Sequence, residues 1–306
     1  MAKQRPQARL HGLLVIDKPA GWTSHDVVGK IRRLIGERQV GHAGTLDPMA
    51  TGVLPVAVGD GTRAIEYLAN ESKSYEADIV FGVETDTQDA DGRVTGVSSI
   101  GDLNAEVLER TLARFRGPIE QIPPMHAAIK IDGVKLYELA RQGITVERAA
   151  RSVVIHQLDL LAWDPPVATI KVHCSKGFYV RALARDLGEA LGVGAHLGNL
   201  VRLSTGPFTL CDAWTMDELG QLSRDDFSEQ WSSIALHPDA MLQELGALIL
   251  DDESRQRWRH GMPILDSGCS DERVSVYALD GEWLGIGRGE HALGRWSPEK
   301  VVGIRA

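Results

Sequence analysis

The sequence is poor in cysteine. Only three occur in 306 residues, Cys174, Cys211 and Cys269, and none forms a C-x-x-C pair. Such scattered cysteines do not make a disulfide framework and are typical of a protein from a reducing compartment. The basic start, "MAKQRPQARLHGLLVID", has too few consecutive apolar residues for a signal peptide or a membrane span. We therefore expect a cytoplasmic protein with no membrane partner.

Several common motifs of enzyme chemistry are also missing. There is no Walker A or G-x-S-x-G sequence, and no histidine has a ligand-spaced Cys or His partner, so no metal is predicted. The stretch "DTQDADG" looks like a calcium loop, but its first and last ligand positions fall on Thr87 and Ser98. "GDGTRA", residues 59–64, matches the dinucleotide fingerprint but is not followed by regular βαβ units. A nucleotide-dependent enzyme stays open there, beside a plain capped turn.

The net charge of −9 is unevenly distributed along the chain. Residues 71–109 and 208–254 are strongly acidic, whereas 1–70 and 110–207 carry a basic excess. Association with a polyanion depends on the local field, so a basic groove on an acidic protein is compatible with a nucleic-acid partner. Chance clustering on solvated faces is the alternative explanation.

The pattern of elements predicts an α+β fold around a central, mainly antiparallel sheet. Helices and strands intermix without the regular repeat of a doubly wound sheet. Ser24 is predicted to cap an amphipathic helix, and Thr62 to cap the helix "RAIEYLA". The other predicted elements are the strands "GLLVIDKPAG", "TGVLPVAVG", "SYEADIVFGVET" and "VATIKVHCS" and the helices "LNAEVLERTLARF", "VKLYELARQG" and "VRALARDLGEALG".

The C-terminal part has a different texture. Residues 216–254 are acidic and rich in polar clusters, which predicts a connecting region. Short β-runs around a D-G turn follow, in "ERVSVYALDGEWLGIGRG" and "KVVGIRA". We therefore predict two domains, 1–245 and 246–306, the second a small β-barrel-like unit.

The stretch "GHAGTLDPMATGVLPVAVGDGTRA", residues 41–64, contains a single carboxylate in its first fifteen residues, Asp47. Leu46 and Pro48 restrict its backbone, so the side chain is oriented before any ligand binds. An ionised carboxylate held in this way can act as a nucleophile or base. A turn aspartate that bonds its own backbone is the simpler alternative.

This stretch resembles the signature of TruB-type tRNA pseudouridine synthases, whose G-H-x-G-x-L-D-P carries the catalytic aspartate. Five more segments match in order, over roughly two hundred residues: "GLLVIDKPAGWTSHDVV", "KSYEADIVFGVETDTQDADG", "QIPPMHAAIKIDGVKLYELARQG", "CSKGFYVRALARDLGEALG" and "AHLGNLVRLSTGPF". The tail resembles the PUA-type RNA-binding domain of bacterial members. Ala43 and the pair His126-Ala127 depart from the common pattern, which puts hydrogen bonding of the loop in question.

The resemblance implies a role for six side chains. Asp47 matches the catalytic carboxylate, Tyr75 the ring on the uracil face, and Arg181 the partner that keeps the aspartate ionised. His42 matches the residue that occupies space near the displaced base, Leu200 an apolar pocket wall, and Lys18 a supporting lysine.

The implied activity is isomerisation of uridine 55, in the T-arm loop of tRNA, to pseudouridine after the base is flipped out. The reaction is redox-neutral, so we expect no cofactor, and no obligate protein partner is implied. A tRNA-binding protein that remodels tRNA without chemistry is the alternative. The tail is expected to add RNA contacts as a tethered module.

Overall fold

The computed structural model describes residues 9–303, except 128–129, 132–133, 137–138, 140–142 and 145. Its strands are β1 (Gly12–Lys18), β2 (Val40–His42), β3 (Thr51–Val58), β4 (Lys73–Phe81), β5 (Val83–Thr85), β6 (Val94–Val97), β7 (Gly117–Gln121), β8 (Lys130–Ile131), β9 (Val134–Lys135), β10 (Arg151–Asp164), β11 (Val167–Cys174), β12 (Ala195–Thr205), β13 (Phe208–Thr209), β14 (Trp214–Thr215), β15 (Gly246–Leu250), β16 (Ile264–Leu265), β17 (Arg273–Ala278), β18 (Trp283–Glu290) and β19 (Arg295–Val301). Its α-helices are α1 (Ser24–Ile35), α2 (Ile65–Leu68), α3 (Ala105–Ala113), α4 (Val180–Leu191), α5 (Met216–Gln221), α6 (Arg224–Glu229), α7 (Trp231–Ile234) and α8 (Asp252–Arg259). Short 3₁₀ helices are η1 (Gly59–Arg63), η2 (Leu210–Asp212), η3 (Pro238–Leu242) and η4 (His291–Leu293).

The larger sheet confirms the predicted α+β class. Ten strands of the described chain form it, in the order β14-β1-β3-β12-β4-β11-β10-β7, with β2 beside β3 and β13 beside β12. Neighbours are antiparallel except for the pairs β1–β14 and β3–β12. Strand β12 lies between β3 and β4. The loop that enters β3 therefore contacts side chains from β12 and from β4. Three segments that are distant in sequence converge there.

Strands β1 and β3 are buried on both faces, which explains why they read as continuous apolar runs. On one face, Leu14 shares a buried cluster with Ile31 of α1. On the opposite face, Leu13 shares a cluster with Trp283 and Val302 of the C-terminal sheet. The centre of the larger sheet therefore lies between a helical layer and the second sheet.

The first helix begins one residue earlier than predicted, at Ser24. The N-cap is Thr23, not Ser24: its hydroxyl accepts from the Asp26 N–H, and the Asp26 carboxylate accepts from the Thr23 N–H. This reciprocal arrangement is a capping box. Ser24 is buried and exchanges hydrogen bonds with the Leu46 peptide.

The composition of the acidic segment 216–254 predicted a connecting region, but the segment is folded. It folds into α5, α6, α7, η3 and β15. Phe227 and Ile234 join the main core, and Met241 and Leu242 fill the cluster between the two sheets. Its charged residues lie on the outside of these elements, so composition alone concealed the apolar positions. The helix predicted over 134–143 is wrong at its start, where Val134–Lys135 form β9, and its residues 137–138 and 140–142 lie outside the described residues.

The second sheet has the order β15-β17-β18-β19-β16 and contains the short strands predicted for the tail. Helix α8 packs on it, and the buried Trp258 donates its indole N–H to the Leu284 carbonyl. No helix within the described ranges is long and apolar enough to cross a membrane.

The second sheet is docked on the first, which contradicts the expectation of a tail that is only tethered. Beside the shared apolar cluster, Lys300 pairs with Glu66 at 2.9 Å, and the Tyr67 hydroxyl donates to Glu299 at 3.1 Å. The Gly303 N–H donates to Asp60 at 3.2 Å. The segment η1–α2 is therefore a docking surface for β19.

Removing this contact should destabilise the first sheet. A chain that ends after residue 245 loses Trp283, Ile286 and Val302, which are buried in the same cluster as Leu13 and Val53. We expect a clearly lower midpoint in denaturant unfolding, whereas Lys300→Ala, which breaks only an exposed ion pair, should cost less than about 1 kcal/mol. An unchanged unfolding midpoint in the truncated chain would show that the tail is tethered to the first sheet without stabilising it.

Candidate active site

The loop between β2 and β3 is fixed on both sides of Asp47. On one side, the Ser24 hydroxyl accepts from the Leu46 N–H at 2.9 Å. On the other, the Pro48 carbonyl accepts from the Gly21 N–H at 2.8 Å and from Lys18 Nζ at 3.2 Å. The backbone at Asp47 is therefore held before any ligand binds, as its neighbours in the sequence predicted.

Arg181, from the first turn of α4, meets Asp47 in a forked pair. The Nε–Oδ2 distance is 2.9 Å and the Nη2–Oδ1 distance is 3.0 Å. Arg181 is 5% exposed, whereas the Asp47 side chain keeps 30% of its surface. Burial raises the pKa of the Asp47 carboxyl, and the charge and hydrogen bonds of Arg181 act in the opposite direction. The pair thus presents a directed carboxylate to a pocket.

A second carboxylate approaches the same guanidinium. Asp89, which is buried, lies 3.6 Å from Arg181 Nη1. The tight loop 85–92 presents it, and the Thr87 hydroxyl and the Asp91 N–H both donate to its carboxylate. The sequence pattern shows this stretch as a failed calcium loop and as part of a family match, and neither feature singles out Asp89. Asp89 therefore holds the Arg181 guanidinium at Nη1, while Nε and Nη2 contact Asp47.

The pocket beside Asp47 has a volume of about 270 Å³. Four of the six predicted residues line it: Asp47, Tyr75, Arg181 and Leu200. Other lining residues include Phe178, Tyr179, Lys73 and Arg202. Aromatic and apolar walls beside the charged groups of Asp47, Arg181 and Arg202 suit a flat ligand with polar edges, such as a nucleobase.

Tyr75 and Leu200 reach the pocket from neighbouring strands. Tyr75 lies on β4 and is 7% exposed, and Leu200 lies on β12 and is 5% exposed. Burial raises the pKa of the Tyr75 hydroxyl, while the Arg202 guanidinium opposes that rise. The phenol is therefore neutral at physiological pH.

Lys18 and His42 lie outside this pocket. Lys18 is fully buried, and its ammonium donates to the carbonyls of Pro19, Trp22 and Pro48. Burial lowers its pKa to about 8. Its contact is with the loop backbone, so it braces the carboxylate's loop and does not face a ligand in the pocket.

His42 packs edge-on against His25 of α1, with ring centroids 5.3 Å apart. Burial lowers its pKa to about 4, so the ring is neutral at physiological pH. Its Nδ1 is buried and has no hydrogen-bond partner among the described residues. An uncharged ring of this kind is suited to stacking.

The stretch "GDGTRA" does not form the open helix start that a nucleotide phosphate needs. The N–H groups of Gly59 and Asp60 donate to the Gln39 carbonyl and to His11 Nδ1. Thr62 lies inside η1 and donates to the Gly59 carbonyl, so it does not cap α2. A Cβ on Gly61 would lie 2.4 Å from the Gly12 carbonyl oxygen, so this glycine permits close packing on β1.

Solved structures share this fold. The archaeal box H/ACA Nop10–Cbf5 complex matches with a TM-score of 0.71 and 23% identity, covering 97% of this chain and 88% of that one. A Cbf5–Nop10–Gar1 complex gives 0.72 and 23%, covering 98% and 91%.

Family comparison defines the class. Residues 32–180 match the N-terminal domain of TruB family pseudouridylate synthases, and residues 181–252 match the tRNA pseudouridylate synthase B C-terminal domain. The fold and these matches define an enzyme of the pseudouridine synthase class.

The similar proteins include several that are named tRNA pseudouridine synthase B. The protein of Ralstonia nicotianae is 43% identical over 98% of this chain and 96% of its own length. That of Pseudomonas aeruginosa is 40% identical over 98% of both, and that of Syntrophotalea carbinolica 46% over 83% and 82%. The chain belongs to the TruB family of tRNA pseudouridine synthases, which confirms the resemblance found in the sequence.

Proposed function

We propose that the protein converts uridine 55, in the T-arm loop of tRNA, to pseudouridine in this pocket. The observation that carries the proposal is the forked Asp47–Arg181 pair beside Tyr75, in a chain of this family. A base inside a folded tRNA loop cannot reach a recessed carboxylate, so it must be flipped out of its stack. A non-catalytic RNA-binding role would not need this preorganised pair.

Asp47 is the reacting carboxylate in this proposal. The reaction breaks the C1′–N1 bond and forms a C1′–C5 bond, while one proton leaves C5 and another is taken up at N1. Asp47 can attack the base, attack the ribose, or remove a ribose proton. Each of these first steps requires the ionised carboxylate, which Arg181 stabilises and aims.

Three further residues shape the site. Tyr75 lies against the face of the uracil ring, with its hydroxyl available to help move the C5 proton, and Leu200 closes the apolar wall. His42, which is neutral and has no hydrogen-bond partner at Nδ1 in the part of the chain that the structure describes, stacks in the space that the displaced base leaves.

The RNA contacts divide between the two sheets. Lys176, next to the pocket residue Gly177, and Arg151, whose charge acts on the pocket residue Tyr179, have no carboxylate within 4.0 Å in the described part of the chain. Such cations are suited to phosphate contacts. Residues 246–306 act as a PUA-like RNA-binding domain docked on the catalytic domain, 1–245. A tRNA substrate accords with a cytoplasmic location.

An isolated T-arm stem-loop tests the choice of substrate. We expect the protein to form pseudouridine at the position corresponding to uridine 55 in this RNA, because the pocket accepts one flipped base and the loop supplies the rest of the recognition. An anticodon stem-loop that contains uridines is the matched control and should stay unmodified. Equal modification of both RNAs would contradict recognition of the T arm.

A further inference from the structure

Arg202 is a buried cation that the proposed chemistry does not use. It lies on β12, lines the pocket and is 1% exposed. No carboxylate of the described residues lies within 4.0 Å of its guanidinium. Burying an unpaired charge is costly unless hydrogen bonds compensate it, so its contacts should reveal what it does.

Two of these contacts hold the backbone around the carboxylate loop. Arg202 Nε donates to the Val53 carbonyl at 2.7 Å, and Nη2 donates to the Gly44 carbonyl at 2.9 Å. Gly44 lies three residues before Asp47 and has φ +76°. A Cβ on Gly44 would lie 3.2 Å from Arg202 Nη1, so the glycine lets the loop approach the guanidinium closely.

The third neighbour is Tyr75. The two residues are paired across β12 and β4, and both line the pocket. The charge of the guanidinium acts on the phenol and opposes the rise that burial causes in the pKa of Tyr75. Arg202 therefore lies between the Asp47 loop, which it holds at Gly44, and the Tyr75 side chain.

We propose that Arg202 is a positioning residue of the reaction: it holds the Asp47 loop at Gly44 and Val53 and places its charge beside the Tyr75 side chain, so that both groups keep their positions around the flipped nucleotide. This inference rests on the proposed roles of Asp47 and Tyr75. Sequence reasoning missed Arg202 although it lies two residues after Leu200, because an arginine in a strand more often has its head group in solvent.

Single-turnover kinetics at saturating tRNA test the inference. Arg202→Met should slow pseudouridine formation by about thirtyfold or more while tRNA affinity stays within about threefold, since the residue acts through Asp47 and Tyr75 on a base that is already bound. Arg202→Lys keeps a charge but not the planar fork, and should fall between Arg202→Met and the wild type. If Arg202→Met folds poorly, Arg202→Lys provides the test in its place. Arg114→Met, at an exposed position, is the control.

Tyr75 itself provides the readout that a purely structural role would not change. In protein carrying ¹³C at the tyrosine Cζ atoms, Tyr75→Phe identifies the Tyr75 resonance. That resonance should shift in Arg202→Met and stay in place in Arg114→Met. A Tyr75 signal unchanged in both Arg202 variants, or a wild-type rate in both, would overturn the inference. The proposed function is tested separately in the same assay. If Asp47→Asn is inactive, the proposed function stands even when the inference about Arg202 is overturned.

Discussion

Asp47→Asn should lower the single-turnover rate of pseudouridine formation by at least about a thousandfold, about 4 kcal/mol of transition-state stabilisation. The amide has nearly the shape of the carboxylate, so the loop held by Ser24 and Lys18 should fold as before. It has no negative charge and is a far weaker nucleophile and base, so each of the three first steps is lost. The rate is measured with saturating unmodified tRNA.

Binding separates a chemical role for Asp47 from a structural one. Asp47→Asn should bind tRNA at least as tightly as the wild type, because a negative charge is removed near a polyanion. Asp102→Asn, the same change in an exposed loop, should leave both rate and affinity unaltered. An Asp47→Asn rate within tenfold of the wild type would show that another group carries the reaction.

Arg181→Lys should cost about a hundredfold in single-turnover rate, or about 2.7 kcal/mol. An ammonium cannot reproduce the two parallel bonds to Asp47 while it also contacts the carbonyls of Thr87 and His126. Affinity for tRNA should change little, since the guanidinium is buried and points at the carboxylates. An unaltered rate would show that Arg181 does not direct Asp47.

Arg181→Met should move the pH–rate profile in a direction that the structure determines. Arg181 opposes the rise that burial causes in the Asp47 pKa, so removing its charge should raise that pKa further. Because only ionised Asp47 is active, the acidic limb of the pH–rate profile should move to higher pH. Asp102→Asn should leave that limb in place. A limb that stays where it is in Arg181→Met would mean that another group titrates there.

The sequence predicted the parts of the fold that local patterns encode. The continuous apolar runs of β1 and β3 mark strands buried on both faces, and the alternation in β4 marks one that carries Tyr75 into the core. The correct cap was readable from local sequence, because Asp26 follows Thr23 at the spacing of a capping box, whereas Val27 stands at that spacing from Ser24. What local sequence could not show is the partner of the Ser24 hydroxyl, the Leu46 peptide twenty-two residues away.

The sequence predicted the site residues that belong to a recognisable motif, but not those whose role depends on tertiary contacts. The restriction of Asp47 by its neighbours was visible in the sequence, and the family resemblance supplied Tyr75 and Arg181. Asp89 and Arg202 lay within quoted segments, but their importance comes from what they meet across the sheet. Docking of the tail on η1–α2 depends on contacts more than two hundred residues apart in sequence.

The central claim is that Asp47 isomerises a single uridine of the T-arm loop, and pseudouridine mapping at nucleotide resolution tests it most directly. Unmodified full-length tRNA is incubated in parallel with the wild type and with Asp47→Asn. We predict one pseudouridine, at uridine 55, with the wild type and none with the variant under single-turnover conditions. Pseudouridine at another position, or the same yield from both proteins, would contradict the account.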